Sequence, residues 1–203
     1  MTLISVRVSA VVLAAGTSSR MGKAKQLLPL GASTVLAQTL AHVQAAALHE
    51  IVLVLGASAE AIRRQLPFPP ELKIVVNQAY QQGIASSLRA GLSAVDPHSD
   101  AALIILGDQP FIRPQTLARI VEEYRRSPAQ IVIPVHQGQR GNPVLLRRSV
   151  FPEVMALEGD VGSRAIFVNH LDGIAKVEVE DKGILLDLDE PADYQRLKAK
   201  YEN

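Results

Sequence analysis

The sequence predicts an α/β fold: a mostly parallel sheet with helices on both faces, and a small antiparallel portion in the last third. Three observations carry that expectation. Short apolar runs alternate with segments of helical periodicity, and the intervals between runs are too long for hairpins, which implies right-handed crossovers. The earlier runs are near-continuous and rich in β-branched residues, as expected of strands covered on both faces. At 203 residues, 48% hydrophobic and 20% charged, the chain suits one well-buried domain, residues 1–203, better than two.

The first strand is the apolar run from Ala10 to Ala15, stopped by Gly16. Ser33 opens an alanine-rich helical segment to Leu48, with Val35, Leu36, Leu40 and Val43 at helical spacing. Glu50 to Leu55 is the second strand and Gly56 ends it; Ser58 then caps a short helix to Leu66. The prolines at 67, 69 and 70 force an extended connection to a third strand, Lys73 to Val76. A helix from about Ile84 to Ala94 leads to the fourth strand, Ala101 to Leu106; Pro114 begins a helix to Arg126, and Gln130 to Pro134 is the fifth strand. Beyond that come shorter strands at Pro143 to Leu146, Ile174 to Val179 and Gly183 to Leu188, with helices near Val150 to Leu157 and Ser163 to His170. Pro191 starts a terminal helix to Tyr201.

Charge and composition exclude several classes. The net charge of +1 and an aromatic content of 4% argue against a nucleic-acid binder. No apolar run is long enough to cross a bilayer. Arg7 sits inside the opening apolar stretch and not ahead of it, so that stretch reads as a buried strand and not as a secretory signal. There is no Cys, which removes disulfides, thiolate metal sites and thiol nucleophiles, and fits a cytoplasmic location. None of the five histidines has Glu or His at metal-binding spacing.

Charge is uneven along the chain. Positions 1–49 carry four basic residues and no acidic one, whereas positions 151–203 carry twelve acidic and six basic. Arg20, Lys23 and Lys25 follow the first strand in a loop of small residues, a pattern that suits a polyphosphate and equally an ordinary solvated turn. It is not a P-loop, because Gly16 and Gly22 enclose five residues and Ala24 follows Lys23. Nor is it a dinucleotide fingerprint, since Ser18 stands where a second glycine would be required.

In parallel sheets ligands sit beyond the carboxyl ends of the strands. Positions 16, 56, 77 and 107 fall there, which makes the cationic loop, Asn77 and Gly107-Asp108 expected neighbours. Asp108, after an apolar strand and before Pro110, is either a hard oxygen ligand for a cation or a cap for the next helix. Asp187 and Asp189, two apart on an expected strand, face one side as a carboxylate pair, while Asp189 is also a competent N-cap for the helix at Pro191. Ser86 and Ser87 in a helix first turn either contact a ligand or satisfy the helix end. Arg140 lies between two glycines, free to reach an anion.

One pattern does fit the loop: L-A-A-G-x-S-x-R-M-G followed shortly by Lys, met by Leu13, Ala14, Ala15, Gly16, Ser18, Arg20, Met21, Gly22 and Lys25. On these residues the chain resembles the nucleotidyltransferases of the molybdenum cofactor family, and the paired alanines resemble its cytidylyl branch. GDQP at 107–110 matches the family's Gly-Asp-x-Pro, and Asp187-Leu-Asp189 its Asp-x-Asp, with Glu190 in place of the usual Thr. Arg140-Gly141-Asn142-Pro143 resembles Arg-Gly-His-Pro, and the segment ending at Arg164 resembles Gly-Asp-x-Gly-Ala-Arg with Ser163 for Ala. The likeness spans Leu13 to Tyr194.

The resemblance implies a three-layer, Rossmann-like nucleotidyltransferase (GT-A-like) fold and a Mg²⁺-dependent transfer of CMP from CTP to the terminal phosphate of a molybdopterin-type substrate. By residue, it implies a nucleotide wall of Leu13, Ala14, Ala15, Gly16, Ser18, Arg20, Lys25, Asn77, Gly83, Ser86, Ser87 and Asp108. Arg20, Lys25 and Asp108 would be catalytic; Asp108 with Asp187 or Asp189 would hold Mg²⁺; Arg140, Gly141, Asn142 and Asp160 would meet the acceptor. Asp160 caps a helix on either reading. The implied partners are CTP, the phosphorylated acceptor and a molybdenum hydroxylase client or its chaperone, with no nucleic acid and no membrane. Other readings stay open: a different phosphorylated acceptor such as a sugar phosphate or phospho-acid, GTP as donor, or a CTP-binding accessory protein without turnover.

Overall fold

The computed structural model describes residues 6–18 and 21–202. Its central strand is β1 (Val8–Ala14), buried along its whole length. β4 (Glu50–Leu55) pairs with it in parallel on one side and β6 (Ala101–Leu106) on the other, and β5 (Lys73–Val76) extends the parallel set beyond β4. Side chains of a strand alternate between faces. Val8, Ala10 and Val12 therefore pack with residues of α1 (Val35–Ala45), α2 (Ala59–Gln65) and α4 (Pro114–Arg126). Val11 and Leu13 face the other way, toward α3 (Ile84–Ala94) and α5 (Phe151–Met155). Two apolar layers on one sheet explain why these strands read as continuous hydrophobic runs.

The antiparallel portion is real and sits inside the sheet. β9 (Val144–Arg147) runs antiparallel between β6 and β7 (Ile131–His136), and β10 (Ile174–Glu178) returns parallel to β7. β8 (Gln139–Arg140) forms a short hairpin with β7, and the sheet order is β10-β7-β9-β6-β1-β4-β5. A separate ribbon pairs β2 (Pro29–Leu30) with β3 (Ser33–Thr34). Among the described residues no helix is long and apolar enough to cross a membrane.

Several expected boundaries change. Ser33 belongs to β3, and Thr34 is the residue that caps α1, its Oγ1 accepting from the Ala37 N–H at 3.3 Å. Ser58 makes no side-chain cap to α2. The fifth strand runs from Ile131 to His136, carried past Pro134 by the pairing of Val135 and His136 with β8. Val150 to Leu157 is a 3₁₀ turn at 148–150 followed by α5, and the expected helix from Ser163 is the 3₁₀ helix Ser163–Asn169.

The expected strand from Gly183 to Leu188 is absent. A 3₁₀ turn covers Lys182–Leu185, started by the Asp181 carboxylate, which accepts from the Gly183 N–H at 2.9 Å. The same carboxylate accepts from Thr116 Oγ1 at 2.6 Å and the Arg113 N–H at 2.9 Å. Aspartate that bonds nearby backbone offers the chain a turn in place of a ladder. Gly183 is required here, since a Cβ would lie 2.3 Å from the Phe111 carbonyl oxygen. Beyond this turn the chain enters α6 (Pro191–Glu202). Tyr194 and Leu197 of that helix pack with Met21, Leu28, Leu30, Val35 and Leu188, and Tyr194 Oη donates to the Pro29 carbonyl at 2.6 Å.

Candidate functional site

Because β1, β4, β5 and β6 are parallel, their carboxyl ends open on one edge, and the segments leaving them are tied together there. The Gly107 N–H donates to Leu13 O at 2.9 Å, the Asn77 N–H to Leu55 O at 2.8 Å and the Ala57 N–H to Ala15 O at 3.2 Å. Beyond that edge lies a cleft of about 740 Å³. Its wall includes Leu13, Ala15, Gly16, Ser18, Lys25, Gly83, Ser87, Asp108, Asp160 and Asp189. The cationic loop and the carboxylate that ends the fourth expected strand therefore share one cavity.

The loop after β1 is shaped by two residues. Ser18 takes a positive φ of 53°, and its Oγ accepts from the Lys25 N–H at 3.1 Å. Gln26, 2% exposed, donates through Nε2 to the Ala14 carbonyl at 3.2 Å and accepts from Ser18 Oγ at 3.4 Å. These contacts fold the loop back on β1 and send the Lys25 side chain inward. Its ammonium bridges two carboxylates, touching Asp108 Oδ2 and lying 3.4 Å from Asp189 Oδ1. Burial works against that charge, but Asp108 and then Asp189 outweigh it and hold the Lys25 pKa above its ordinary value. Arg20 lies outside the described residues.

Asp187 and Asp189 do not form a pair on one strand face, since their segment is outside the sheet. Asp189 meets Lys25, whereas Asp187 Oδ1 accepts from Gln109 Nε2. At the start of α6 the Glu190 carbonyl accepts from Tyr194, and the Asp193 carboxylate reaches back to the Glu190 N–H at 3.0 Å, one half of a capping box. Much of Asp187 is open to solvent, yet its carboxyl group is crowded by protein. That desolvation, with the charges of Asp108 and Asp189, raises its pKa above the carboxylate norm against the opposing Gln109 hydrogen bond and the Arg164 charge.

The first turn of α3 is occupied by protein. Asp160 Oδ1 accepts from the Ile84 N–H at 3.3 Å, Gly159 O from Ala85 at 3.2 Å and Gly83 O from Ser86 at 3.2 Å. Asp160 thus caps a helix, and that helix is α3; the 3₁₀ helix that follows it in sequence has Gly162 at its N-cap. Gly83 is needed for this docking: its φ is +93°, and a Cβ would lie 2.4 Å from the Gly159 carbonyl. Asn77 stands behind the wall, donating to Ser86 Oγ at 2.8 Å and Ser87 Oγ at 3.1 Å. Of these three only Ser87 lines the cleft.

Arg140, Gly141 and Asn142 lie off this cleft, on the connection between β7 and β9. The Arg140 guanidinium covers the Phe167 ring at 5.7 Å, and Asn142 Oδ1 accepts from Arg164 Nη2 at 3.2 Å. Three side chains that shape the site went unread in the sequence: Gln26, Gln109 and Tyr80. Gln26 and Gln109 are 2% and 1% exposed, and uncharged amides that each follow a charged residue, Lys25 and Asp108, give no local sign of that burial.

The donors suit a hard cation. Asp108 and Asp189 share the Lys25 ammonium, and Asp187 adds a further carboxylate nearby. No group of three or more His, Cys, Asp or Glu side chains among the described residues forms a closed metal cage. An ion that takes one or two carboxylates and completes its shell with phosphates and water fits such a site.

Residues 10–174 match the model of the MobA-like NTP transferase domain. The chain is 33% identical to Rv0371c of Mycobacterium tuberculosis H37Rv, whose crystal structure superposes with a TM-score of 0.83 over 96% of this chain and 98% of that one. Another structure of Rv0371c is described as a complex with manganese, at 31% identity, a TM-score of 0.82 and coverage of 96% and 99%. Among curated proteins, the nicotine blue oxidoreductase of Paenarthrobacter nicotinovorans is 31% identical over 77% of this chain and 79% of its own length. The molybdenum cofactor cytidylyltransferase of Escherichia coli K12 is 26% identical over 96% and 97%. The bifunctional protein GlmU of Gloeobacter violaceus is 34% identical over 64% of this chain, a match spanning 28% of its own length.

Proposed function

Because this chain belongs to the MobA-like NTP transferase family, we propose that it transfers CMP from CTP to the terminal phosphate of a molybdopterin-type acceptor and releases pyrophosphate. The observation that carries the reading is the Lys25 ammonium held between Asp108 and Asp189 in the cleft at the strand ends. Cytidylyl transfer to a molybdenum cofactor is what the name of the Escherichia coli relative states, and its likeness runs the length of both chains.

In this reading an oxygen of the acceptor phosphate attacks the α-phosphorus. The new P–O bond forms as the bond to the bridging oxygen of the β-phosphate breaks, and the electron pair leaves with pyrophosphate. A phosphate monoester with its second pKa at about 6 is already mostly ionised at neutral pH, so no side chain has to remove a proton. Catalysis then rests on position and charge. Lys25 would turn from the carboxylates to the β- and γ-phosphates, joined by Arg20, five positions earlier in the sequence. Asp108, with Asp187 or Asp189, would hold Mg²⁺, which when bound neutralises and polarises the α-phosphate. Ser87 and the Gln81–Gly83 backbone would face the nucleoside.

The test is pyrophosphate release with each of the four triphosphates, offered molybdopterin, a sugar phosphate or a phospho-acid as acceptor. CTP with molybdopterin is expected to give the fastest turnover. Asp108→Ala should lower that rate by about 10²–10³-fold while leaving the fold intact by circular dichroism. Near-parental turnover by the variant, or CTP binding without pyrophosphate release by the parent, overturns the reading.

A further inference from the structure

Gln109 has no part in the reaction just described, yet its placement is unusual. It follows Asp108 directly, and its backbone N–H donates to Leu106 O at 3.2 Å, so it is fixed in the same turn that presents Asp108. Its side chain is 1% exposed, and Nε2 donates to Asp187 Oδ1 on a segment far along the chain. Its Oε1 is buried with no hydrogen-bond partner among the described residues. A side chain kept for volume alone would leave no such carbonyl, because Leu or Met fills the space without a polar atom to desolvate. The amide is there for the contact its nitrogen makes.

Asp187 needs that contact. Its segment lies between the Lys182–Leu185 turn and α6, outside the sheet, so no ladder of hydrogen bonds orients it. Buried Leu188 anchors the backbone but leaves the direction of the neighbouring carboxylate open. Lys25 holds Asp189, and an incoming triphosphate competes for that ammonium. An uncharged, buried amide is not drawn away by an anion.

We propose that Gln109 is the positioning residue that holds the Asp187 carboxylate against the turn bearing Asp108, so that a divalent cation bound at Asp108 in the cleft also feels the Asp187 charge. The use of the cation rests on the nucleotidyl-transfer reading; the positioning itself does not.

Mn²⁺ titrated into the full chain, with and without CTP and followed by the electron paramagnetic resonance of free Mn²⁺, tests this apart from turnover. Gln109→Leu, which keeps the volume and removes the donor, should weaken Mn²⁺ binding about 10-fold, the range found when partners of metal ligands are removed. Asp187→Asn should weaken it as well, and the double variant should bind no worse than Asp187→Asn alone, because Gln109 acts through Asp187. Unchanged Mn²⁺ affinity in Gln109→Leu, multiplying effects in the double variant, or no Mn²⁺ binding by the parent overturns the proposal. Gln109→Met replaces the Leu variant should that one not fold, and failure of both to fold also overturns it, since Gln109 would then be a structural residue. If Mn²⁺ binding behaves as expected while no triphosphate yields pyrophosphate, the positioning role stands and the transfer reading falls.

Discussion

Lys25 and Asp187 pull in opposite directions on stability, and the sign of each follows from its neighbours. The Lys25 pKa is raised, so its ion pairs with Asp108 and Asp189 contribute fully below its unfolded value of about 10.4 and are lost as pH rises through the folded one. The difference in melting temperature between the parent and Lys25→Met is therefore expected to be flat from mildly acidic to mildly alkaline pH and to shrink only above that value. Asp187 is an acid whose folded pKa is also raised, so its ionisation costs stability as pH climbs from its unfolded value toward the folded one. Asp187→Asn should raise the melting temperature at pH 7, by roughly 2 °C at most for so exposed a residue, and the gain should vanish below about pH 3.9. Calorimetric scans across pH check both. The residue types of this group were legible in the sequence as a cationic loop and a scatter of acids. Which acid meets which cation was not, because Asp189 served equally well as a helix cap until its contact with Lys25 was seen.

At the scale of elements, α3 and the segment that covers its first turn form one unit. Gly83→Ala would force a Cβ against the Gly159 carbonyl at a positive φ. We expect a loss of about 1–3 kcal/mol in urea denaturation, together with a raised KM for the triphosphate, as the 159–160 segment moves off the cleft. Thr34→Ala supplies the contrast: it removes the α1 cap for about 1 kcal/mol and should leave KM unchanged, since Thr34 is not in the cleft wall. Strands and helices of the parallel half were legible because burial on both faces and 3.6-residue periodicity are written locally. The last third was harder. There Asp181 with Gly183 favoured a 3₁₀ turn over a strand, using Thr116 and Arg113 as distant partners that no local pattern reveals.

For the molecule as a whole, the chain closes on itself when α6 packs over the segment that follows the cationic loop. Leu197, 3% exposed, shares a cluster with Met21, Leu28 and Leu30, so the C-terminal helix backs the loop that begins the site. Leu197→Ala should cost about 2–5 kcal/mol by denaturant titration and also raise the KM for triphosphate, although the residue is no part of the cleft wall. An unchanged KM would show that the loop holds its shape without the helix. By itself the sequence determined the α/β architecture, the edge on which the cleft opens and the two segments, around Lys25 and Asp108, that meet there. Apolar runs and turn residues act on their immediate neighbours, and a parallel sheet then gathers its strand ends by topology alone. Only the tertiary structure decided that Gln109 holds Asp187, that Asp160 caps α3 and that Lys25 bridges Asp108 and Asp189. Each of those polar groups had a local alternative of similar energy, and the choice was made by segments that return to the site from far along the chain.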